Sequence, residues 1–103
     1  MIKVSAMYPN VEGSRFDIEY YCQRHMPMVK ERLGSAIKRI EVEQGLAGRT
    51  PDAPASFRAA GHLYFESLEA FRGAFAPHAQ VILADVPNYT DLEPQVQISE
   101  VVL

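Results

Sequence analysis

An α+β fold with four strands and two main helices, in the order β-α-β-β-α-β, is predicted by three features of the sequence. Four separate stretches alternate with the period of a strand. Two amphipathic stretches of helical period lie between the first and second and between the third and fourth of them. Glycine, proline and asparagine punctuate the joins.

Residues 2–8 alternate with period two and form the first predicted strand, ended by Pro9-Asn10 and Gly13. Ser14 and Asp17 stand at capping-box spacing, so a helix is expected to begin there. Ile18, Tyr21, Cys22 and His25 then fall at i, i+3, i+4 and i+7, a stripe expected to face inward. Pro27 lacks an N–H and biases Met26 away from helical angles, which predicts a kink or restart at that point. Met28, Val29 and Leu33 carry the apolar stripe on to Gly34, a C-terminal cap.

Residues 36–44 read as the second strand, with Ile40 and Val42 on one face. Residues 45–58, with two glycines and two prolines, read as a long loop: a lid, a dimer contact or a mobile stretch. Residues 59–66 form the third strand, on which Leu63 and Phe65 point one way and His62 and Tyr64 the other. Ser67 caps a helix striped by Leu68, Phe71 and Phe75. Pro77 ends that helix and opens a short one from His78 to about Asp85. Pro87-Asn88 marks a turn, and residues 95–103 return to a strand. This order is the ferredoxin-like split unit, with an antiparallel four-stranded sheet. Two helices cover one sheet face. On the first strand Ile2, Val4, Ala6 and Tyr8 share one face, and Lys3, Ser5 and Met7 the other. A half-apolar second face predicts a partner sheet, an ordinary solvated face being the alternative.

The 103 residues suit one domain, 1–103, and 48% apolar against 22% charged residues argues against disorder. A net charge of −3 gives no electrostatic case for nucleic acid. The single cysteine excludes an internal disulfide and fits a reducing compartment. No apolar run reaches the roughly 18 residues of a membrane span, and no leader precedes the first strand, so a cytoplasmic location is expected.

The chemistry concentrates in Tyr20-Tyr21-Cys22-Gln23-Arg24-His25-Met26-Pro27. Tyr21 and His25 share a helix face, so His25 is a candidate general acid or base and Tyr21 a candidate ligand contact. The competing reading is a buried histidine with a satisfied ring and no reaction to perform. Tyr20 diverges by about 100° and reads as packing against Phe16. His62 and Tyr64 line either the same pocket or a partner-facing surface. Asp85 and Asn88 flank a turn that favours both residue types for structural reasons. The histidines lack metal-ligand spacing, Cys22 reads as a small hydrophobe, and no glycine pattern matches a nucleotide cradle.

At these residues the chain resembles the EthD-like family, named for ethyl tert-butyl ether degradation. The resemblance rests on Tyr20-Tyr21-x-x-x-His25-x-Pro27-Met28-Val29, on residues 60–71 and on Ala84-Asp85-Val86-Pro87-Asn88-Tyr89-Thr90, where Tyr89 takes a position often held by Phe. It implies a ferredoxin-like domain pairing into a dimeric α/β barrel, and a place in oxidative breakdown of organic compounds. Relatives of the same fold include isomerases, cofactor-free monooxygenases and cyclases. The expectation is a homodimeric protein acting on a small apolar organic ligand without a tightly bound cofactor or metal. His25 and Tyr21 would be catalytic, with His62, Tyr64 or Asp85 assisting at the substrate. The alternatives are a non-catalytic carrier serving a partner oxygenase and, more remotely, a haem-handling protein.

Overall fold

A computed structural model describes residues 1–103. Strand β1 (Ile2–Pro9) is central. It pairs antiparallel with β3 (Phe57–Phe65) on one side and β4 (Gln95–Glu100) on the other, and β2 (Arg39–Gln44) adds to β3. The order β2-β3-β1-β4 is the ferredoxin-like arrangement expected of the sequence. The register sets Val4 opposite Leu63, Ser5 opposite His62 and Ala6 opposite Gly61, so cross-strand neighbours share a face.

The first helical rod has three parts: α1 (Ile18–Tyr20), a π-turn (Tyr21–His25) and α2 (Met26–Leu33). It starts later than the capping-box spacing suggests. Asp17 is the N-cap and accepts the Tyr20 backbone N–H, whereas Ser14 donates to the Val11 carbonyl and helps hold Arg58. Residues 14–16 are drawn away from helix by a bridge between Phe16 and Thr90. Met26 keeps helical φ and ψ of −64° and −40°, contrary to the bias expected before a proline, and the expected restart takes the form of a fresh α-helical segment that begins at Met26 without interrupting the rod. The wider turn accommodates Pro27 instead, with the Met26 N–H reaching back to the Tyr21 carbonyl. The extra residue shifts the buried stripe to Tyr21, His25, Met26, Val29 and Leu33, and leaves Cys22 exposed rather than buried. Gly34 ends the rod at φ +61°, a conformation that suits glycine.

Ser67 caps α3 (Leu68–Phe75) by accepting the Ala70 N–H. Proline-initiated 3₁₀ turns flank the short α4 (Ala79–Ala84). Both helical layers lie on the sheet face that carries Val4, Ala6, Tyr8, Leu63 and Phe65. One apolar cluster joins Val29, Leu33, Phe65 and Ile82, and another joins Tyr8, Tyr21, Met26 and Tyr89. The opposite face is polar rather than half-apolar. It carries Lys3, Ser5, Glu41, Glu43, His62, Tyr64 and Gln97, with only Met7 and Ala60 as apolar relief. Exposed apolar residues lie elsewhere, among them Val96 and Ile98 on β4, the C-terminal Val101–Leu103, Leu83 on α4 and Leu46 in the long loop.

Candidate active site

Helix, turn and sheet converge on His25. The π-turn brings its ring flat against Tyr21, with centroids 5.4 Å apart and planes at 11°. Tyr89, immediately after the 3₁₀ turn Val86–Asn88, packs beside both rings, with centroids 4.7 Å from His25 and 4.8 Å from Tyr21. The ring is 5% exposed. Its Nδ1 lies 2.9 Å from Asp85 Oδ2. Asp85 also accepts from the Tyr20 hydroxyl at 2.7 Å and from the Asn88 amide at 2.9 Å, both on Oδ1. Three donors on one carboxylate fix its plane and, through it, the imidazole.

Burial pushes the His25 pKa below its ordinary value; the bond and charge of Asp85 oppose this without overcoming it. For Asp85, burial pushes upward, but the bonds from Asn88, His25 and Tyr20 outweigh it and hold the carboxyl below its ordinary value. Both shifts favour one state at neutral pH: an Asp85 carboxylate accepting Nδ1–H from a neutral imidazole. The lone pair is then on Nε2, which has no partner in the protein. No fully buried side-chain nitrogen or oxygen lacks a partner, so Nε2 is open to a ligand or to water.

His25 lines a cavity of about 300 Å³ between helices and sheet, walled mainly by aliphatic and aromatic side chains; with Nδ1 turned to Asp85 outside the cavity, Nε2 is the ring nitrogen left to face it. Its floor is Val4, Ala6, Gly61 and Leu63 of the sheet, and its walls include Phe71, Phe75 and Ile82. Leu83 and Val96 also line it and are 61% and 62% exposed, which places the mouth between α4 and β4. The polar groups are the His25 ring and the phenols of Tyr8, Tyr21 and Tyr89. The Tyr8 and Tyr89 hydroxyls are hydrogen-bonded at 2.7 Å, and burial pushes the pKa of all three phenols upward, so they remain protonated donors. A Cβ at Gly61 would stand 2.1 Å from the Tyr21 hydroxyl, so the absence of a side chain there is what admits the ring.

Of the residues singled out by sequence, His25, Tyr21 and Asp85 come together. Asp85 grips His25 from outside the cavity rather than lining it; its outer side faces a surface groove shared with Tyr20, Arg24 and Asn88. Tyr20 is more than packing, since it bonds to Asp85, while Phe16 packs against Tyr8, Tyr21 and Tyr89. His62 and Tyr64 do not share the pocket. Strand alternation turns them to the helix-free face, where His62 bonds to Ser5 and meets Glu43, and Tyr64 donates to Glu41. None of residues 45–58 lines the cavity, so that loop is not its lid; it borders a groove on the other side with Met7 and Glu43. Tyr8, Gly61 and Tyr89 escaped sequence reasoning. The one available signal was Tyr89, an aromatic following the Asp85–Asn88 turn.

Fold and site together define a small ferredoxin-like α+β domain with a histidine–carboxylate pair at the base of an apolar cavity. Residues 14–93 match the EthD domain, and the chain belongs to the EthD family. It is similar to the crystal structure of an EthD-like protein from Ralstonia eutropha JMP134, with 54% identity over 99% of this chain and 92% of that one and a TM-score of 0.95. An ethyl tert-butyl ether degradation (EthD) family protein from Bacillus halodurans C-125 shares the fold at 19% identity, with 99% of each chain covered and a TM-score of 0.75. A dimeric protein of unknown function and ferredoxin-like fold from Bacteroides fragilis NCTC 9343 does so at 13% identity, with 97% and 95% covered and a TM-score of 0.54. No curated protein matches the chain. No helix is long and apolar enough to cross a membrane.

Proposed function

We propose that this protein is an enzyme in the catabolism of a small apolar organic compound, and that it works by acid–base chemistry with its own side chains. One observation carries the reading: the 2.9 Å bond from His25 Nδ1 to Asp85, which leaves Nε2 as a neutral base in an apolar cavity of about 300 Å³. His25 takes a proton from the ligand at Nε2. Asp85 holds the ring in the useful tautomer and stabilises the imidazolium that forms. Tyr21 supports the flat face of the ring and, with Tyr8 and Tyr89, supplies hydroxyls for a ligand oxygen. Nothing in this scheme calls on a bound cofactor.

A homodimer is part of the proposal. It is supported by the dimeric relative and by apolar side chains left uncovered on β4 and the C-terminal segment, notably Val96 at 62% and Val102 at 85% exposed.

The competing reading is a carrier that delivers a hydrophobic metabolite to a partner oxygenase, and the apolar lining favours binding under either reading. The two part on one experiment. Small apolar compounds are screened for thermal stabilisation of the protein, and those that bind are then assayed for conversion with wild type and His25→Ala. Retained binding with lost conversion supports the enzyme. Binding with no conversion by wild type supports the carrier.

A further inference from the structure

The cavity holds an unusual inventory of polar groups, and the inventory restricts its ligand. No lysine, arginine, aspartate or glutamate lines it. Its base is neutral, and its hydroxyls are phenols that burial keeps protonated. A ligand carrying a carboxylate or an ammonium into this space would lose its hydration with no counter-charge to replace it.

The hydroxyls offer something different. In the Tyr8–Tyr89 bond of 2.7 Å one hydroxyl donates to the other, so one of the two protons remains free. Tyr21 brings a third hydroxyl as the other polar neighbour of Tyr8. Three phenols thus line the cavity with at least one O–H unspent, and they cluster with the His25 ring, which packs against Tyr21 and Tyr89. The opposite end is aliphatic and aromatic, with Val4, Leu63, Phe71, Phe75 and Ile82.

From this arrangement we infer that the substrate is a neutral, enolisable carbonyl compound, held by its oxygen on the tyrosine hydroxyls with its α-carbon at His25 Nε2. The inference rests on the acid–base reading above and names its substrate class. The step balances within the cavity. The α C–H bond breaks and its proton bonds to Nε2. The C–H electron pair forms a C=C bond to the carbonyl carbon, and the carbonyl π pair moves to the oxygen, which a phenol O–H stabilises as an enolate. Imidazolium and enolate arise together, so the ligand need never enter as an ion. Replacement of the Nε2 proton by a solvent deuteron before return to the same carbon gives isotope exchange, and return to a conjugated carbon gives isomerisation.

The test uses 2-indanone, its 5-carboxylate, the methyl ester of that acid, and indane, which lacks the carbonyl. Binding is measured by ligand-observed NMR and α-proton loss in buffered D₂O by proton NMR. With wild type, 2-indanone and the ester exchange faster than in buffer, on the order of 10²-fold or more, and His25→Gln abolishes the gain while 2-indanone still binds. Tyr8→Phe and Tyr89→Phe each slow exchange, and indane binds more weakly than the ketone. The carboxylate binds and exchanges at least tenfold less than its ester. If carboxylate and ester prove equal, the inferred class is wrong while the acid–base reading survives through His25-dependent exchange. If 2-indanone occupies the cavity without His25-dependent exchange, both readings fall. Failure of both 2-indanone and indane to bind removes the cavity as a ligand site and the inference with it.

Discussion

His25 and His62 are both buried, at 5% and 6% exposure, and each has an acidic partner, yet they lie on opposite faces of one sheet and are spent differently. His62 uses both ring nitrogens: Nδ1 is 2.8 Å from the Ser5 hydroxyl and Nε2 is 3.2 Å from Glu43. His25 uses only Nδ1, on Asp85, and keeps Nε2 for the cavity. Burial and an acidic partner therefore do not distinguish a working histidine from a structural one. The unspent nitrogen, and the space beside it, do. His62 has the character of a cross-strand tie on a polar face, and His25 that of a base held ready.

The sharpest way to break this contrast is to remove each ring in turn. His25→Gln is expected to lower proton transfer by about 10²- to 10⁴-fold while ligand binding persists. His62→Leu is expected to leave the rate per folded molecule nearly unchanged and to cost about 1–3 kcal/mol of stability, because Ser5 loses its buried partner. Isotope exchange and urea unfolding on both variants separate the two; equal loss of rate would refute the assignment.

Gly61→Ala comes next. The new Cβ meets the Tyr21 hydroxyl at 2.1 Å and the Met26 terminal methyl at 2.6 Å; the methionine can yield, but the ring cannot without moving off His25. A stability loss of about 1–3 kcal/mol is expected, together with weakened ligand binding. The matched control is Ala60→Gly, on the helix-free face, which should leave ligand affinity intact.

A third prediction concerns pH. Proton transfer needs neutral His25, whose pKa lies below the ordinary 6.5, so the rate should stay level near neutrality and fall only in more acid solution. Asp85→Asn removes the charge that raises the His25 pKa, so the titration should move to still lower pH while the rate drops less than in His25→Gln. An imidazole ¹⁵N NMR titration reads both, and an upward shift would contradict the assignment. Stability follows the same sign. The unfolded chain protonates its histidine at higher pH than the folded one. The stabilising contribution of neutral His25 is therefore complete above the unfolded value and is lost as pH falls through the folded value.

The smallest effect is expected of Tyr20→Phe, which takes one of three donors from Asp85. The Asp85 pKa should rise slightly, with a modest fall in rate and unchanged ligand affinity. A change in affinity as large as that from Gly61→Ala would mean that Tyr20 reaches the ligand itself.

Element order was legible because it rests on local periodicity. All four strands and the helical segments lie where alternation, caps and prolines indicate, with ends shifted by a few residues. The first helix shows where local rules fail. Pro27 signals a kink or restart but not its form: the rod is held on the sheet by Val29 and Leu33, and a π-turn before a new α-helical segment absorbs the proline without giving up that packing. The facing of His62 was legible in principle: Leu63 and Phe65 are the apolar side of β3, and residues on the alternate side must turn away from the helices.

By itself, the sequence determined the β-α-β-β-α-β order and the pairing of Tyr21 with His25, since both follow from spacings of two and four residues along one element. Only the tertiary structure decided that Asp85, 60 residues further on, receives the His25 Nδ1–H, that Tyr20 joins it, and that Gly61 clears room for Tyr21. Such contacts depend on how helices settle on a sheet. Settling is driven by the summed apolar surface of many residues and leaves no mark at the positions it brings together.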